Sequence, residues 1–486
     1  MALAPFTPRT NEPARNRHWR ISTRFNRFRL ASRAVAFDDD EGDARLSRLL
    51  GLIRERAGAR LPTSSLGRLR RTASTALRAG ADQLLGRIAG GAALDPKAVE
   101  RIVLSLGELK GIAMKFGQIL SYVDMPVLTP EARELLAVLQ RRAPATPFEA
   151  VEATLRAELG GRAGELLATL EREPSATASI GQVHRARLPD GTAVAVKVLN
   201  PGVEAAIRAD FRSAQLGKAF AALIAPGAEV GEAIAEARAR ILEECDYALE
   251  RARQQRFAEI YRGHPSIAIP DVYPEWCSPR VLTTRWVAGL RLEEFARVAT
   301  RAARDRAGEA LYEFYIGTLY RHGLFNADPH PGNLLFDEDG RVTFLDHGCV
   351  REFDPETVRG VAALSRAVRE DNRERILDAL RRLEARPPED APSLEVTRRL
   401  LRGFFQPTLQ GGARPMRGDV TVEARELLAN KRAVLRIRLP GRLLFLFRIR
   451  FGLYSVLSRV GAIMNWQTLE ERYTHEVLER AGGRTR

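Results

Sequence analysis

The chain has 486 residues, 45% hydrophobic and 28% charged, which predicts a folded protein with more than one structural unit and excludes disorder throughout. Its formal net charge of +15 favours anionic partners, namely membrane surfaces, nucleic acid or phosphorylated small molecules, without choosing among them. The three cysteines are scattered, which excludes a disulfide framework or paired-cysteine zinc cluster and favours a reducing, intracellular setting.

Residues 1–44 are predicted to form a basic, disordered arm, because residues 1–37 contain many arginines and a single acidic residue. The arm lacks the continuous apolar core of a secretory signal. The most apolar C-terminal stretch, residues 443–457, contains Arg448 and Arg450, so it predicts a buried or interfacial amphipathic helix and no transmembrane helix. A cytoplasmic protein is expected, with peripheral attachment at the inner membrane face as an option.

Residues 45–165 are predicted to form a helical extension, since apolar residues recur there at helical spacing. The extension contains Lys115–Phe116–Gly117–Gln118. Lys115 and Gln118 lie three positions apart and therefore share one face of a helix. Taken alone, this pattern is typical of an amphipathic helix with its lysine on the solvated side.

Residues 166–289 differ in character, because β-branched and small residues alternate in SIGQVHRARL and TAVAVKVL. These runs predict two strands joined by the turn Pro189–Asp190–Gly191. A helical segment is predicted over residues 203–262, and a further strand over residues 280–289. Together they predict a small sheet with an inserted helix.

Residues 290–486 are predicted to be mainly helical, with helix over 291–325 and again from about residue 353. Between these helices, the loop GLFNADPHPGN at residues 323–333 is shaped by two prolines and a glycine. Two short strands follow within residues 334–348 and turn at Asp339–Gly340.

Five side chains occur in the chain order in which protein kinases carry the residues for phosphoryl transfer. Lys197 lies on a strand from which it can reach the α- and β-phosphates, and Glu250, on the helix predicted at 238–257, can pair with it. Asp328 and Asn333 have the spacing of a kinase catalytic loop, and Asp346 follows the hairpin as a magnesium ligand. Each signal is weak alone. Their order predicts an α+β, two-lobed protein-kinase-like fold, mainly helical, that follows the N-terminal helical extension and binds ATP or ADP with Mg²⁺.

With these residues the chain resembles the UbiB/AarF family of atypical kinases, over about residues 90–370 and more loosely as far as Trp466. Three motifs that separate this family from ordinary protein kinases carry the resemblance. They are Lys115–Phe116–Gly117–Gln118, the alanine-rich loop Ala176–Thr177–Ala178–Ser179 before Ile180–Gly181–Gln182, and Glu244–Cys245–Asp246.

The resemblance implies an ATP- and magnesium-dependent kinase or ATPase that supports isoprenoid quinone metabolism of the ubiquinone type, or other lipid metabolism, at a membrane surface. The implied partners are a nucleotide, an anionic lipid or quinone-like small molecule, and a biosynthetic enzyme complex. No specific nucleic-acid binding is expected, because no recognition module appears in the sequence. The positions implied to contact the nucleotide are Ala176, Thr177, Ala178, Ser179, Gly181, Lys197, Trp286 and Ala288.

The family pattern also implies that the Lys-x-Gly-Gln segment, with Lys115, Gly117 and Gln118, faces Glu244 and Asp246 across the nucleotide site. A segment placed there would fill the groove in which protein kinases bind the acceptor. This arrangement favours ATP hydrolysis, or transfer to a small lipid-like molecule, over phosphorylation of a protein.

Three positions depart from the family pattern and from ordinary kinases. Asn326 stands where many relatives have histidine, His347 replaces the phenylalanine of Asp-Phe-Gly, and Arg285 stands where relatives often have an acidic residue. Two alternatives remain open. One is a small-molecule phosphotransferase of the aminoglycoside or choline kinase type, which the catalytic-loop spacing and His330 also fit. The other is a nucleotide-binding pseudokinase scaffold, against which the retained lysine, asparagine and aspartates argue.

Overall fold

The structure is a computed structural model that describes residues 146–177, 180–211, 239, 242–385, 391–416 and 441–482. All of these residues belong to one compact unit. The predicted arm, most of the predicted extension with Lys115, Gly117 and Gln118, and the loop residues Ala178 and Ser179 lie outside the described residues.

The described helices are α1 (Phe148–Leu159), α2 (Ala163–Leu167), α3 (Val203–Phe211), α4 (Tyr247–Ile260), α5 (Leu292–Val298), α6 (Arg301–Tyr312), α7 (Thr318–His322), α8 (Pro355–Arg369), α9 (Arg373–Arg382), α10 (Ala391–Phe405), α11 (Gly441–Val460) and α12 (Trp466–Gly482). The described strands are β1 (Ala176–Thr177), β2 (Gly181–Arg187), β3 (Ala193–Leu199), β4 (Ile267–Ala268), β5 (Val281–Arg285), β6 (Leu324–Asn326), β7 (Leu334–Phe336), β8 (Val342–Phe344), β9 (Val350–Glu352), β10 (Arg414–Pro415) and β11 (Ile463–Met464).

The first sheet is antiparallel, in the order β1-β2-β3-β5, and contains both strands predicted from the alternating runs. One face buries Val194, Val196 and Val198 against α1 and α2. Because side chains alternate along a strand, Lys197 lies on the opposite face. It stands across from Val183 on β2 and from Leu282 on β5.

Helix α4 begins later than the sequence predicts. The prediction of one helix over residues 238–257 is wrong, because the chain turns at Glu244–Cys245. The side chain of Asp246 then accepts a hydrogen bond from the N–H of Ala248 at 2.9 Å and caps the new helix. A short acidic side chain just before a helix satisfies one of the unpaired N–H groups of its first turn.

The segment predicted as helix over residues 291–325 is divided. Thr300 caps α6 through a hydrogen bond from Ala303, so α5 and α6 are separate helices. A π-helical turn, Glu313–Gly317, connects α6 to α7, and the chain then enters β6, which the sequence analysis missed. Strand β6 pairs with the equally short β9.

The hairpin predicted over residues 334–348 is present as β7 and β8, and β8 also pairs in parallel with β4. Its turn lies where the sequence predicts it, since the N–H of Gly340 donates to Asp337 O at 3.1 Å. Gly340 has a φ of 88°, a left-handed conformation that favours glycine.

From residue 355 the described chain is mainly helical, as predicted, and α11 and α12 pack against the helices that precede the loop. The apolar C-terminal stretch forms the buried type of helix, with Leu453, Tyr454 and Leu457 in the core. Arg450, which interrupts that stretch, is 2% exposed and bonds to Glu470 of α12. Among the helices of the described residues, none has the length and apolar character needed to cross a bilayer.

Candidate active site

Three charged side chains from distant parts of the chain meet at Lys197. Its Nζ lies 2.8 Å and 2.9 Å from the two carboxylate oxygens of Glu250, and 3.4 Å from Oδ2 of Asp346. Lys197 comes from β3, Glu250 from the first turn of α4 and Asp346 from the segment after β8. The predicted lysine–glutamate pair is therefore formed.

Burial and charge act in opposite directions on this cluster. Burial lowers the pKa of Lys197, but the carboxylates of Asp346 and Glu250 reverse that effect and raise it well above its usual value. Burial raises the pKa of Glu250, and the Lys197 ammonium counteracts the rise. Glu250 is only 3% exposed, so removal of Lys197 would leave a buried carboxylate without its cation.

The predicted loop places Asp328 and Asn333 in direct contact. Nδ2 of Asn333 donates to Oδ2 of Asp328 at 2.8 Å. A short 3₁₀ turn, Pro331–Asn333, closes the loop, and Nδ1 of His330 accepts a hydrogen bond from the N–H of Gly332 at 3.0 Å. His330 thus stabilises the turn, and the side chains of Asp328 and Asn333 lie side by side.

Asn326 joins the loop to the segment that contains Asp346. Its Nδ2 donates to Asp346 O at 2.9 Å, and its Oδ1 accepts from the N–H of Asp328 at 3.0 Å. The side chain is 2% exposed, so both bonds are shielded from water. Asn326 therefore links the two motifs in this chain.

His347 is buried beneath the site. It is fully buried and packs against Phe257 and Phe314, with ring centroids 5.2 Å and 6.2 Å away. Neither ring nitrogen has a hydrogen-bond partner among the described residues. Burial lowers its pKa to about 4; Asp346 opposes this effect and Lys197 adds to it. The imidazole is therefore neutral at neutral pH and occupies an apolar pocket.

The phosphate-loop residues within the described part are Ala176, Thr177 and Gly181. Ala176 and Thr177 are exposed on β1, and Gly181 begins β2. A methyl group at Gly181 would lie 2.6 Å from Val198 O, so only glycine allows this close approach of β2 to β3.

The connection after β5 contains Trp286 and Ala288, the predicted contacts of the base. The backbone N–H of Trp286 donates to Ala193 O at 2.9 Å and is therefore used within the sheet. The Trp286 ring lies 5.1 Å from the Arg185 guanidinium. Arg285 pairs with Asp271 at 2.8 Å on the surface. Ala288 is exposed and remains a predicted contact of the base.

The family description "ABC1 atypical kinase-like domain" matches residues 138–380, half of the chain, and includes all of these site residues. The chain belongs to this family of atypical kinases. The resemblance to the UbiB/AarF kinases is thereby confirmed, as is a kinase-like domain of mixed helix and sheet.

Curated relatives match a little more than half of the chain. "Atypical kinase COQ8, mitochondrial" from Saccharomyces cerevisiae is 29% identical over 261 residues, which are 54% of this chain and 52% of that protein. "Atypical kinase COQ8B, mitochondrial" from Rattus norvegicus is 30% identical over 279 residues, 57% of this chain and 53% of that protein. The match thus spans about half the length of these relatives.

A solved structure extends the similarity beyond the matched domain. The structure of Rv3197 from Mycobacterium tuberculosis, in complex with erythromycin, has a TM-score of 0.54 and 28% sequence identity. It covers 81% of this chain and 98% of that chain. The fold of this atypical kinase is therefore shared over most of its length.

Acidic residues in and beside the family's Glu-x-Asp motif stabilise the start of α4. Asp246 caps α4, while Glu243, just before the motif, pairs with Arg253 at 3.1 Å and with Arg351 at 3.2 Å. Arg253 also donates to Gly348 O at 2.7 Å. This network ties the start of α4 to the segment after Asp346, and no local signal singled out Glu243. Glu244 lies in the turn beside it.

Two further contacts of the site were not anticipated. The Tyr247 ring lies 5.0 Å from Nζ of Lys197, which adds a cation–π contact to the ion pairs. The Gln182 side chain exchanges two hydrogen bonds with the backbone of Thr146, at 2.9 Å and 3.2 Å, and lies 2.9 Å from a ring nitrogen of His184. In the sequence, Gln182 is marked only by its position directly after Gly181.

Proposed function

We propose that this atypical kinase is an ATP- and Mg²⁺-dependent phosphotransferase or ATPase. The bidentate contact between Lys197 and Glu250, with Asp346 3.4 Å from the same nitrogen, carries the proposal. In protein kinases both the lysine–glutamate pair and the magnesium-binding aspartate must be in place for phosphoryl transfer. These residues lie 53 and 149 positions from Lys197, so their convergence is a property of the fold.

Lys197 binds the α- and β-phosphates, and Glu250 holds the ammonium in position for them. The backbone of Gly181 and the loop with Ala176, Thr177, Ala178 and Ser179 cover the phosphates in this proposal. The base lies beside Ala288 and the Trp286 side chain. A buried ammonium that remains protonated is suited to a ligand with several negative charges.

Asp346 and Asn333 would hold magnesium. Within the described ranges, no group of three histidine, cysteine or acidic side chains is arranged to hold a metal alone. That finding fits Mg²⁺, which is typically bound by one or two protein oxygens together with phosphates and water. Because Nδ2 of Asn333 donates to Asp328, its Oδ1 is the atom suited to a cation. Bound there, the ion would neutralise the charge of the phosphates.

Asp328 orients the nucleophile, a water molecule or an acceptor hydroxyl, or accepts its proton. The hydrogen bond from Asn333 to Oδ2 holds the Asp328 carboxylate in place for this role. We further propose that Lys115, Gly117 and Gln118 limit the acceptor groove opposite Glu244 and Asp246. Water or a small lipid-like alcohol is then favoured over a protein acceptor.

The biological setting is proposed from the family resemblance and the charge. The COQ8 relatives carry the name of atypical kinases, and the UbiB/AarF resemblance implies a role in isoprenoid quinone metabolism. The net charge of +15 supports peripheral contact with an anionic bilayer, and a quinone-like molecule or biosynthetic enzyme complex is the proposed partner. The proposed units are the arm 1–44, the extension 45–165, and two kinase lobes, 166–289 and 290–486.

A second candidate is an enzyme that phosphorylates a free small molecule. The similarity to Rv3197 favours it, because the structure of that protein is a complex with erythromycin. The two candidates share the nucleotide site and differ in the acceptor. Efficient phosphorylation of erythromycin or of a soluble alcohol would favour this second candidate, whereas ATP turnover stimulated by anionic vesicles would favour the first.

ATP turnover of the full chain tests the proposal, with and without vesicles containing anionic phospholipid. Asp346→Asn removes a carboxylate charge at the site, while Asp339→Asn makes the same change at the exposed hairpin turn. We expect Asp346→Asn to lower turnover by about 100-fold or more and Asp339→Asn to leave it unchanged. Magnesium-dependent turnover at the parental rate in Asp346→Asn would refute the catalytic assignment.

A further inference from the structure

Helix α11 rests directly on the candidate catalytic loop at Gly452. A methyl group at this glycine would lie 2.8 Å from Cγ and 3.8 Å from Cδ of Pro329. Real Cβ atoms essentially never come that close to another heavy atom. Gly452 lies beyond residues 138–380, the part that matches the family description. The C-terminal helix therefore contacts the loop through a position that the family assignment does not include.

The contacted proline immediately follows Asp328, the proposed nucleophile-orienting residue. The backbone carbonyl of Asp328 accepts hydrogen bonds from the Tyr315 hydroxyl at 3.4 Å and from the N–H of His330 at 2.7 Å. Tyr315 lies in the π-helical turn between α6 and α7, a type of distortion found frequently at functional sites. The loop is thus held by Tyr315 through Asp328 and by Gly452 through Pro329.

The π-helical turn with Tyr315 and helix α11 with Gly452 are connected to each other through buried side chains. Arg450, two residues before Gly452, donates to Glu470 and to the hydroxyl of Tyr312. Tyr312 lies three residues before Tyr315. Arg450 is 2% exposed and Glu470 is fully buried, so the connection is shielded from solvent. A shift of α11 would therefore reach the loop through a rigid, continuous set of contacts.

We infer that Gly452 is a positioning residue, at which the absence of a side chain sets how closely α11 approaches Pro329 and thereby fixes the Asp328 carboxylate. The inference rests on the proposed function in that Asp328 is the group being positioned. The C-terminal helix is then part of the catalytic apparatus. A reacting group displaced by about 1 Å can lose about 100-fold in rate, so one methyl group suffices for a measurable effect.

Gly452→Ala tests the inference, and Gly360→Ala is its matched control. Gly360 is also a helical glycine, on α8, where a methyl group would lie 2.6 Å from Cδ2 of Leu383. Both changes therefore add the same group to a tightly packed helix, but only Gly452 contacts the loop.

The first measurement is amide hydrogen exchange of the peptide that covers residues 323–333, in full-length protein without nucleotide. We expect Gly452→Ala to accelerate exchange there about tenfold, because the N–H groups of His330 and Asn333 are hydrogen-bonded within the loop. Gly360→Ala should leave the same peptide unchanged. Equal loop exchange in both variants would overturn the inference, whatever the activity of the protein.

The second measurement separates positioning from nucleotide binding. For ATP turnover, Gly452→Ala should lower kcat about 10- to 100-fold with KM for ATP within about twofold of the parent. Adding Pro329→Ala to Gly452→Ala removes the atoms that the new methyl group would meet, and we expect it to restore much of the loss, or the fold if the single variant is unfolded. A double variant no better than the single one would contradict the assignment. A parent protein without ATP turnover would refute the proposed function, and the exchange result would still decide this inference.

Discussion

Asn326 and Asp346 are joined by a hydrogen bond of 2.9 Å, from the side-chain amide of the first to the backbone carbonyl of the second. The same Asn326 side chain accepts the N–H of Asp328. One buried residue thus fixes the relative position of the proposed magnesium ligand and the proposed nucleophile-orienting group. The candidate site is therefore held together by backbone contacts as well as by its ionised side chains.

Asn326→Ala should lower ATP turnover about tenfold and the free energy of unfolding by about 1–3 kcal/mol, because it leaves a donor and an acceptor unpaired. Asn372→Ala is the control, since Asn372 caps α9 through a hydrogen bond from Arg375 and lies away from the site contacts described above. Asn372→Ala should lower the free energy of unfolding by about 1 kcal/mol and leave turnover unchanged. ATP turnover and urea unfolding are measured on the same samples of both variants. Equal turnover in the two variants would contradict a linking role for Asn326.

The residues of the candidate site could be predicted because each has a short local pattern. Lys197 is centred in an alternating strand, and Asp328 with Asn333 stands in a loop that proline and glycine shape. The order of these patterns along the chain predicted the kinase-like fold that the family match supports. These signals were sufficient together because a kinase-like fold carries these residue types in one order along the chain.

The remaining features depend on contacts between distant residues. Strands β6 and β9 have three residues each, too few for an alternating pattern to be recognised. Arg450 interrupts an apolar stretch of the sequence. Its burial is explained by its partner Glu470, which lies on a different helix. Glu243 could not be distinguished from Glu244, since its partners Arg253 and Arg351 are brought to it by tertiary structure.

Glu250→Gln should lower turnover about 100-fold while the protein remains folded, because the neutral amide keeps the shape of the side chain but removes the charge that holds Lys197. The expected change includes weaker binding of ATP, measured by equilibrium titration. Glu259→Gln, on the exposed side of the same helix α4, is the matched control and should behave as the parent. Parental turnover in Glu250→Gln would show that the ion pair is structural only.

Arg450→Met should lower the free energy of unfolding by about 3–5 kcal/mol, because it leaves the buried carboxylate of Glu470 without its cation. Replacing both partners, Arg450→Met with Glu470→Met, should recover most of this loss, since the charges are then removed together. Arg459 lies on the same helix α11 and forms an exposed ion pair with Glu293 of α5. Arg459→Met breaks that pair and should lower the free energy of unfolding, measured in urea, by no more than about 1 kcal/mol. A single Arg450→Met variant as stable as Arg459→Met would contradict the buried ion pair.

His347→Phe should remove a pH-dependent loss of stability. The folded-state pKa of His347 is lowered to about 4 by burial, below the usual value of 6.5. Above the usual pKa, His347 is neutral in both the folded and the unfolded protein. As the pH falls, the imidazole of the unfolded protein takes up its proton first. The parent should therefore lose about 2 kcal/mol between about pH 7.5 and about pH 5 through this group, and the loss should level off below about pH 4. The difference in unfolding free energy between His347→Phe and the parent should grow by that amount over the same pH range. A difference that is constant with pH would mean that the folded protein protonates His347 as readily as the unfolded chain does.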